Sequence, residues 1–224
     1  MIRKTILFAS LFFIADFSFA QQMSIGLRAG YTLSDVIVKE PDNLIVEGNP
    51  DFQVDEHFRV LSSYHIGIDA RQPLSKRVGI VASLLYARKG YVGTIDWPSG
   101  PADADWQLHY LNLPIVADVL LWKGLSLQAG VEAGWLMDVR VKSEGATFDP
   151  QNLFHSINDF DFGLVCGLEY RFNKGFFIGA RHIFGIAPLQ KYDVTDDTGA
   201  SLGYITSRNS ATQISLGYRH LFGE

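Results

Sequence analysis

One two-faced pattern repeats about eight times between Met23 and Phe222. In each repeat, roughly ten residues carry apolar side chains at every second position and glycine or charged side chains at the positions between. Because successive side chains of a strand point to opposite faces, this alternation predicts two-faced β-strands. In the last repeat, one face carries Ile214, Leu216, Tyr218 and Phe222, and the other carries Gln213, Ser215, Gly217 and Arg219.

The alternation predicts eight strands, over residues 24–33, 63–71, 78–91, 107–121, 125–140, 159–172, 176–186 and 211–222. Short connections alternate with long ones, which lie near residues 34–62, 92–106, 141–158 and 187–210. This is typical of outer-membrane barrels, whose short turns are periplasmic and whose long loops are extracellular. We therefore predict an all-β, eight-stranded antiparallel up-and-down transmembrane barrel. Residues 43–54 could hold another hairpin, so a barrel of ten strands is the alternative.

Alternation alone does not say which face lies inside a barrel. A soluble periplasmic barrel of the lipocalin type would turn its apolar face inward. Three observations favour the opposite arrangement. The polar face is rich in glycine, which a narrow, side-chain-filled lumen requires, and aromatic residues gather near strand ends on the apolar face, as in an interfacial girdle. The last strand ends on Phe222, which resembles the C-terminal signal read by the barrel-assembly machinery.

The N-terminus resembles a secretory signal peptide, with Arg3 and Lys4 as its positive region, residues 6–15 as its apolar core and Ser18-Phe19-Ala20 as its cleavage site. We expect residues 1–20 to be removed and residues 21–224 to form one outer-membrane barrel domain. Removing a net charge of +1 changes the formal charge from -5 to -6. An acidic chain argues against a nucleic-acid partner. A single cysteine, Cys166, excludes an internal disulfide.

Four segments, at residues 26–34, 84–90, 110–115 and 162–172, carry a family resemblance through their order and spacing. On these segments the chain resembles the PorT family of small outer-membrane β-barrels from Bacteroidota, also described as the outer-membrane β-barrel domain. The resemblance covers essentially the whole mature chain and implies an outer-membrane location. It does not imply the part that PorT plays in a Bacteroidota secretion system, because most relatives with this pattern have no assigned task.

Charged side chains fall on the face that we expect to line the lumen, seven positive and six negative. They are Arg28, Asp69, Arg71, Lys89, Asp118, Glu132, Asp138, Arg140, Asp161, Glu169, Arg171, Arg181 and Arg219. Each charge in a low-dielectric lumen needs a partner, so the near-balance predicts a paired polar network. Because eight strands leave little open bore, we expect this network to plug the barrel. A charged passage for small ions is the alternative.

Catalytic and metal-binding motifs have little support. His57, His109 and His155 fall on the extracellular side beside acidic residues, but no nucleophile-elbow or zinc-ligand spacing accompanies them. The motif Asp193-x-x-Asp196-Asp197-x-Gly199 resembles part of a calcium loop without its full ligand spacing. Trp97 and Trp106 could bind a partner or a glycan, or rest at the membrane interface. We predict no enzyme activity, no cofactor and no metal.

The predicted function is a non-enzymatic structural or interaction role in the cell envelope, with an accessory part in a secretion or assembly complex as its more specific form. The predicted partners are outer-membrane lipid, the barrel-assembly machinery during insertion, and an envelope protein complex. Two alternatives stay open, namely a narrow pore or transport conduit and a soluble periplasmic ligand-binding barrel.

Overall fold

A computed structural model describes residues 23–39, 58–97, 100–143, 146–148, 157–195 and 201–221. The segments outside these ranges include the expected signal peptide, the 43–54 segment that could hold another hairpin, and Phe222. Within these ranges, ten antiparallel strands follow one another. They are β1 (Ser24–Lys39), β2 (Arg59–Pro73), β3 (Val78–Trp97), β4 (Gly100–Trp122), β5 (Leu125–Ser143), β6 (Ala146–Phe148), β7 (Phe160–Arg171), β8 (Phe176–Gly185), β9 (Gln190–Thr195) and β10 (Ser201–Leu221).

Eight of these strands form a closed ring. Each pairs with the next in the order β1, β2, β3, β4, β5, β7, β8, β10. β10 then pairs with β1, in one register from Ser24↔Leu221 to Lys39↔Thr206. β6 and β9 are short strands outside this ring. β6 pairs with the end of β5, and β9 pairs with the start of β10. The predicted eight-stranded antiparallel up-and-down barrel is confirmed.

The short connections gather at one end of the barrel. Residues 74–77 join β2 to β3, Lys123 and Gly124 join β4 to β5, and a 3-10 turn at Asn173–Gly175 joins β7 to β8. Lys123 and Gly124 have φ of 33° and 92°, so both residues adopt the positive φ that a two-residue type I′ hairpin turn needs. The other strand ends lie at the opposite end, where the strands extend into the predicted long segments. The prediction of a long loop near residues 92–106 is wrong, because β3 and β4 continue as a paired hairpin that leaves only residues 98 and 99 between them.

The apolar face of the ring points outward. Ile214, Leu216 and Tyr218 of β10 are 49%, 65% and 41% exposed. On the opposite face, Arg28 and Arg181 are only 1% and 3% exposed. The predicted orientation, with apolar side chains outside and charged side chains inside, is confirmed. It is the reverse of a soluble ligand-binding barrel, which buries its apolar face.

Aromatic side chains stand on the outward face in two bands. Near the long-loop end, the rings of Tyr64 and Tyr86 lie 6.2 Å apart. Near the short-turn end, the rings of Phe176 and Tyr218 lie 5.0 Å apart. Two bands that bracket an apolar zone are the arrangement of interfacial girdles in transmembrane barrels. Within the described ranges, no helix combines the length and the apolar character needed to cross a membrane.

The β3–β4 hairpin continues well beyond the aromatic band at the long-loop end. Its register is constant from Leu85↔Asn112, near the band, to Trp97↔Gly100 at the tip. Residues 87–97 of β3 therefore extend past Tyr86, and at about 3.3 Å per residue they form roughly 35 Å of strand. The barrel wall on this side projects beyond the zone that the two bands enclose.

Candidate functional site

Four charged side chains meet inside the barrel near the short-turn end, and we call them the four-charge cluster: Arg28, Asp69, Glu169 and Arg219. The Arg28 Nη2 atom lies 2.8 Å from Glu169 Oε2 and 3.2 Å from Asp69 Oδ2. Arg219 donates from Nη1 and Nη2 to the two oxygens of Glu169, at 2.7 and 2.8 Å, and from Nε to Asp69 Oδ2 at 2.7 Å. The cluster joins β1, β2, β7 and β10 across the lumen, so it ties opposite walls together.

An aromatic ring lies against both guanidinium groups of this cluster. Phe177 of β8 points inward and is 2% exposed. Its ring centroid lies 4.0 Å from Arg219 Cζ and 4.6 Å from Arg28 Cζ. The ring occupies the space beside Gly217, where an added Cβ would overlap Phe177 Cζ. Glycine at this inward position therefore makes room for a large ring, which agrees with the expected reason for the glycine-rich polar face.

Lys89 forms the centre of a second group, the Lys89 cluster. Its Nζ lies 2.8 Å from Glu132 Oε1 and 3.0 Å from Asp161 Oδ2. Asn209 donates to Asp161 Oδ2 at 3.1 Å and to the Tyr110 hydroxyl at 3.2 Å. The Tyr110 ring centroid lies 5.3 Å from Lys89 Nζ. All five side chains are buried, so a single cation here meets two carboxylates away from water.

Asp118 forms the centre of a third group near the short turns, the Asp118 cluster. Its Oδ2 accepts from Arg71 Nε at 2.9 Å and lies 3.3 Å from Arg171 Nη1. Gln128 Nε2 donates to Asp118 Oδ1 at 3.3 Å. The two arginine side chains are 15% and 22% exposed, whereas Asp118 is fully buried. Solvent therefore reaches this cluster at its edge.

Apolar side chains fill other levels of the interior. One buried group combines Val81, Val116, Val165, Ile183 and Ala211. A second, toward the long-loop end, combines Val36, Leu108, Tyr110 and Leu189, and Val139 packs against it. Charged and apolar groups therefore both occupy the interior, and each contributes to filling a lumen that eight strands already make narrow.

Two of the thirteen residues expected in the lumen lie outside it. The side chains of Asp138 and Arg140 are 35% and 56% exposed and pair with each other at 2.7 Å, so the prediction that they line the lumen is wrong. The reason is a β-bulge, because His109 opposes Asp138 while the next residue, Tyr110, opposes Leu136. Met137 is the extra residue, and it reverses the facing of the rest of β5.

The structure places the other eleven expected residues inside the barrel. Ten of them form the three clusters, and the eleventh is Arg181, whose Nε donates to Gln128 Oε1 at 2.8 Å. Sequence reasoning missed the uncharged members, chiefly Phe177, Tyr110, Asn209 and a buried His65 that bridges Thr32 and Ser215. Their inward parity was the available signal for the polar ones. For Phe177, the available signal was the glycine at 217, which is its direct partner on β10.

The residues considered for catalysis and metal binding do not assemble into a site in the described part of the chain. His109 lies on the outward face, where its Nδ1 is 2.5 Å from the Tyr86 hydroxyl. His57, His155 and most of the Asp193–Gly199 motif lie outside the described residues. No cluster of His, Cys, Asp and Glu suited to a metal ion occurs among the residues described. Trp106 stacks on Tyr91, with ring centroids 5.7 Å apart.

The family model described as "Outer membrane protein beta-barrel domain" matches residues 19–191. Three solved structures to which the chain is similar are the following. Ail, the attachment invasion locus protein of Yersinia pestis, is 14% identical over 88% of this chain and 98% of that chain, with a TM-score of 0.44. Neisserial surface protein A is 10% identical over 88% and 97%, with a TM-score of 0.49. OprG from Pseudomonas aeruginosa is 14% identical over 92% and 99%, with a TM-score of 0.47. No curated protein matches the sequence.

Proposed function

The chain belongs to the outer membrane protein β-barrel domain family, and from this premise we propose that it has a non-enzymatic structural or interaction role in the cell envelope. Its location is the outer membrane, where the outward apolar side chains contact lipid. The more specific form of the proposal is an accessory part in a secretion or assembly complex, for which the extended β3–β4 hairpin would supply the contact surface.

The observation that carries the proposal is the filled lumen. The four-charge cluster crosses the barrel through ion pairs of 3.2 Å or less, and the Phe177 ring lies among its charges. The Lys89 cluster and the two apolar groups occupy further levels. An interior of buried, paired side chains favours a rigid scaffold over an open passage, because breaking a buried ion pair is strongly unfavourable.

The extended β3–β4 hairpin supports an interaction role. It projects past the aromatic band on the extracellular side and carries exposed Thr94 and Asp103. Arg59 of the neighbouring β2 pairs with Asp103 on this wall. A regular, hydrogen-bonded hairpin is a firm platform for a partner, because little conformational entropy is lost when it is contacted.

The first experiment tests whether the barrel conducts. Purified protein is reconstituted in planar bilayers, and we expect no stable single-channel steps. A variant with Phe177→Ala, Arg219→Ala and Glu169→Ala combined, checked for folding by heat-modifiable gel mobility, serves as the opened control. Stable steps from the unaltered barrel would instead support the conduit alternative and contradict the filled-scaffold proposal.

The second experiment tests the interaction role. An affinity tag placed before β1 is used to recover the barrel from gently solubilised outer membrane. The matched variant replaces residues 93–104 with Asn-Gly, since Val92 and Asp105 are direct partners that a two-residue turn can join. We expect envelope secretion or assembly components with the full chain and their loss with the shortened hairpin. Recovery of the bare barrel in both cases would contradict the proposal.

A further inference from the structure

Arg181 is buried in the lumen with no carboxylate partner among the described residues. Its Nε donates to Gln128, but its Nη1 and Nη2 atoms are buried and make no hydrogen bond. Arginine stays protonated in proteins, so this side chain cannot remove the problem by losing its charge. An unpaired buried charge is strongly unfavourable unless something compensates it.

Other unused donors surround the same part of β8. Gln213 is the direct β10 partner of Arg181, and its Nε2 is buried without an acceptor. Arg28 leaves Nε and Nη1 unused, and its Nη1 lies 3.6 Å from the position that a Cβ of Gly179 would take. Gly179 is the inward-facing residue before Arg181 on β8. Five buried nitrogen atoms without acceptors therefore belong to three side chains that flank one stretch of wall.

The charge balance of the lumen points the same way. Removing Asp138 and Arg140 from the seven cations and six anions leaves six cations and five carboxylates among the described lumen residues. The four-charge cluster is balanced by itself, and the positive excess of the Asp118 cluster reaches solvent at Arg71 and Arg171. The Lys89 cluster has one negative charge in excess, but its two carboxylates pair with Lys89 and neither pairs with Arg181. Arg181, at 3% exposure, has no such access.

From these observations we infer that the lumen binds a small monovalent anion, with chloride as the probe, against Arg181 Nη1 and Nη2, Gln213 Nε2 and the free side of Arg28. One bound anion makes the described lumen neutral. A water molecule suits the site less well, because it must also donate hydrogen bonds and the unpartnered atoms of these three side chains are all donors. This inference is independent of whether the barrel engages a partner.

Crystals grown with bromide in place of chloride test the site directly. We expect an anomalous bromine peak in contact with the Arg181 guanidinium. The absence of a peak, or density that water alone accounts for in both salts, would overturn the inference. This measurement uses the unaltered chain, so it does not depend on a variant that folds.

Thermal unfolding in detergent gives a second readout, with chloride exchanged for gluconate at constant ionic strength. Once chloride exceeds its dissociation constant about a hundredfold, we expect the midpoint to rise by roughly 5 to 10 °C. Arg181→Met should lose this chloride-specific rise, whereas the exposed-site control Arg140→Met should keep it. An equal chloride response in the two variants would contradict the assignment.

Discussion

Arg219 and Glu169 form a two-point ion pair inside the barrel, with both guanidinium Nη atoms donating to the two carboxylate oxygens at 2.7 and 2.8 Å. The same carboxylate also pairs with Arg28 at 2.8 Å. One anion therefore holds two cations, and both of them also lie against the Phe177 ring. Loss of the Glu169 carboxylate should therefore destabilise this cluster more than loss of either arginine.

Glu169→Gln should destabilise the barrel by about 3–5 kcal/mol, because it leaves two buried guanidinium groups with only Asp69 between them. The free energy of unfolding can be measured by urea titration in lipid vesicles. Asp138→Asn is the matched control, since it also neutralises one partner of an ion pair, but on the exposed surface, and should cost less than about 1 kcal/mol. Equal costs for the two variants would contradict the buried role of Glu169.

Gly217→Ala should destabilise the barrel by roughly 1–3 kcal/mol, because the new methyl group overlaps the confined Phe177 ring and the backbone oxygen of Leu27. Gly93→Ala is the control, since an added Cβ there would meet no atom closer than 3.5 Å. The double variant Gly217→Ala with Phe177→Leu should recover part of the loss through non-additivity, measured in a double-mutant cycle. Purely additive costs would show that the two side chains do not compete for space.

Cysteine labelling should locate the bulge in β5. In a Cys166→Ala background, Arg140→Cys and Lys142→Cys should react with a membrane-impermeant maleimide on whole cells, because both positions face outward beyond the aromatic band. Val141→Cys is the control between them and should stay unlabelled, since Val141 is 4% exposed. Without a bulge, residue 141 would face outward and residues 140 and 142 inward. Labelling at 141 with protection at 140 and 142 would therefore contradict the bulge.

A charge on the outward apolar face should be costly only inside the membrane zone. Leu216→Lys should destabilise the barrel by about 2–4 kcal/mol in vesicles, as expected for lysine in contact with the hydrocarbon core. Thr206→Lys lies on the same strand in the part that extends toward the long loops, and should cost roughly 0–1 kcal/mol. A small cost at 216 would argue against lipid contact on this face.

The strands and their order could be predicted because one physical cause acts on every strand. Lipid outside and a narrow lumen inside require opposite chemistry on successive residues, so residues such as Ile214 and Gln213 are assigned by parity alone. Charged lumen residues follow the same logic. Which of them pair could not be predicted, because Arg28 and Glu169 are brought together by the curvature and register of the ring rather than by sequence spacing.

The error in β5 has a specific physical reason. Before the bulge in β5, apolar side chains such as Trp135 face outward. After it, Val139 packs against the second apolar group and Val141 is buried. The environment changes at nearly the same point, because the outside becomes aqueous and the inside becomes apolar. The reversal of side-chain facing and the reversal of environment cancel each other. Apolar and polar residues therefore keep alternating in the sequence on both sides of Met137. Only the cross-strand register reveals the extra residue.

The seam between β1 and β10 has a consequence for biogenesis. β1 needs as its second neighbour a strand that the ribosome makes almost two hundred residues later, since Ser24 pairs with Leu221. Before β10 pairs with β1, an incomplete sheet exposes the unpaired backbone amide groups of β1 to other chains, which favours aggregation. The barrel wall is therefore complete only when β10 has paired with β1.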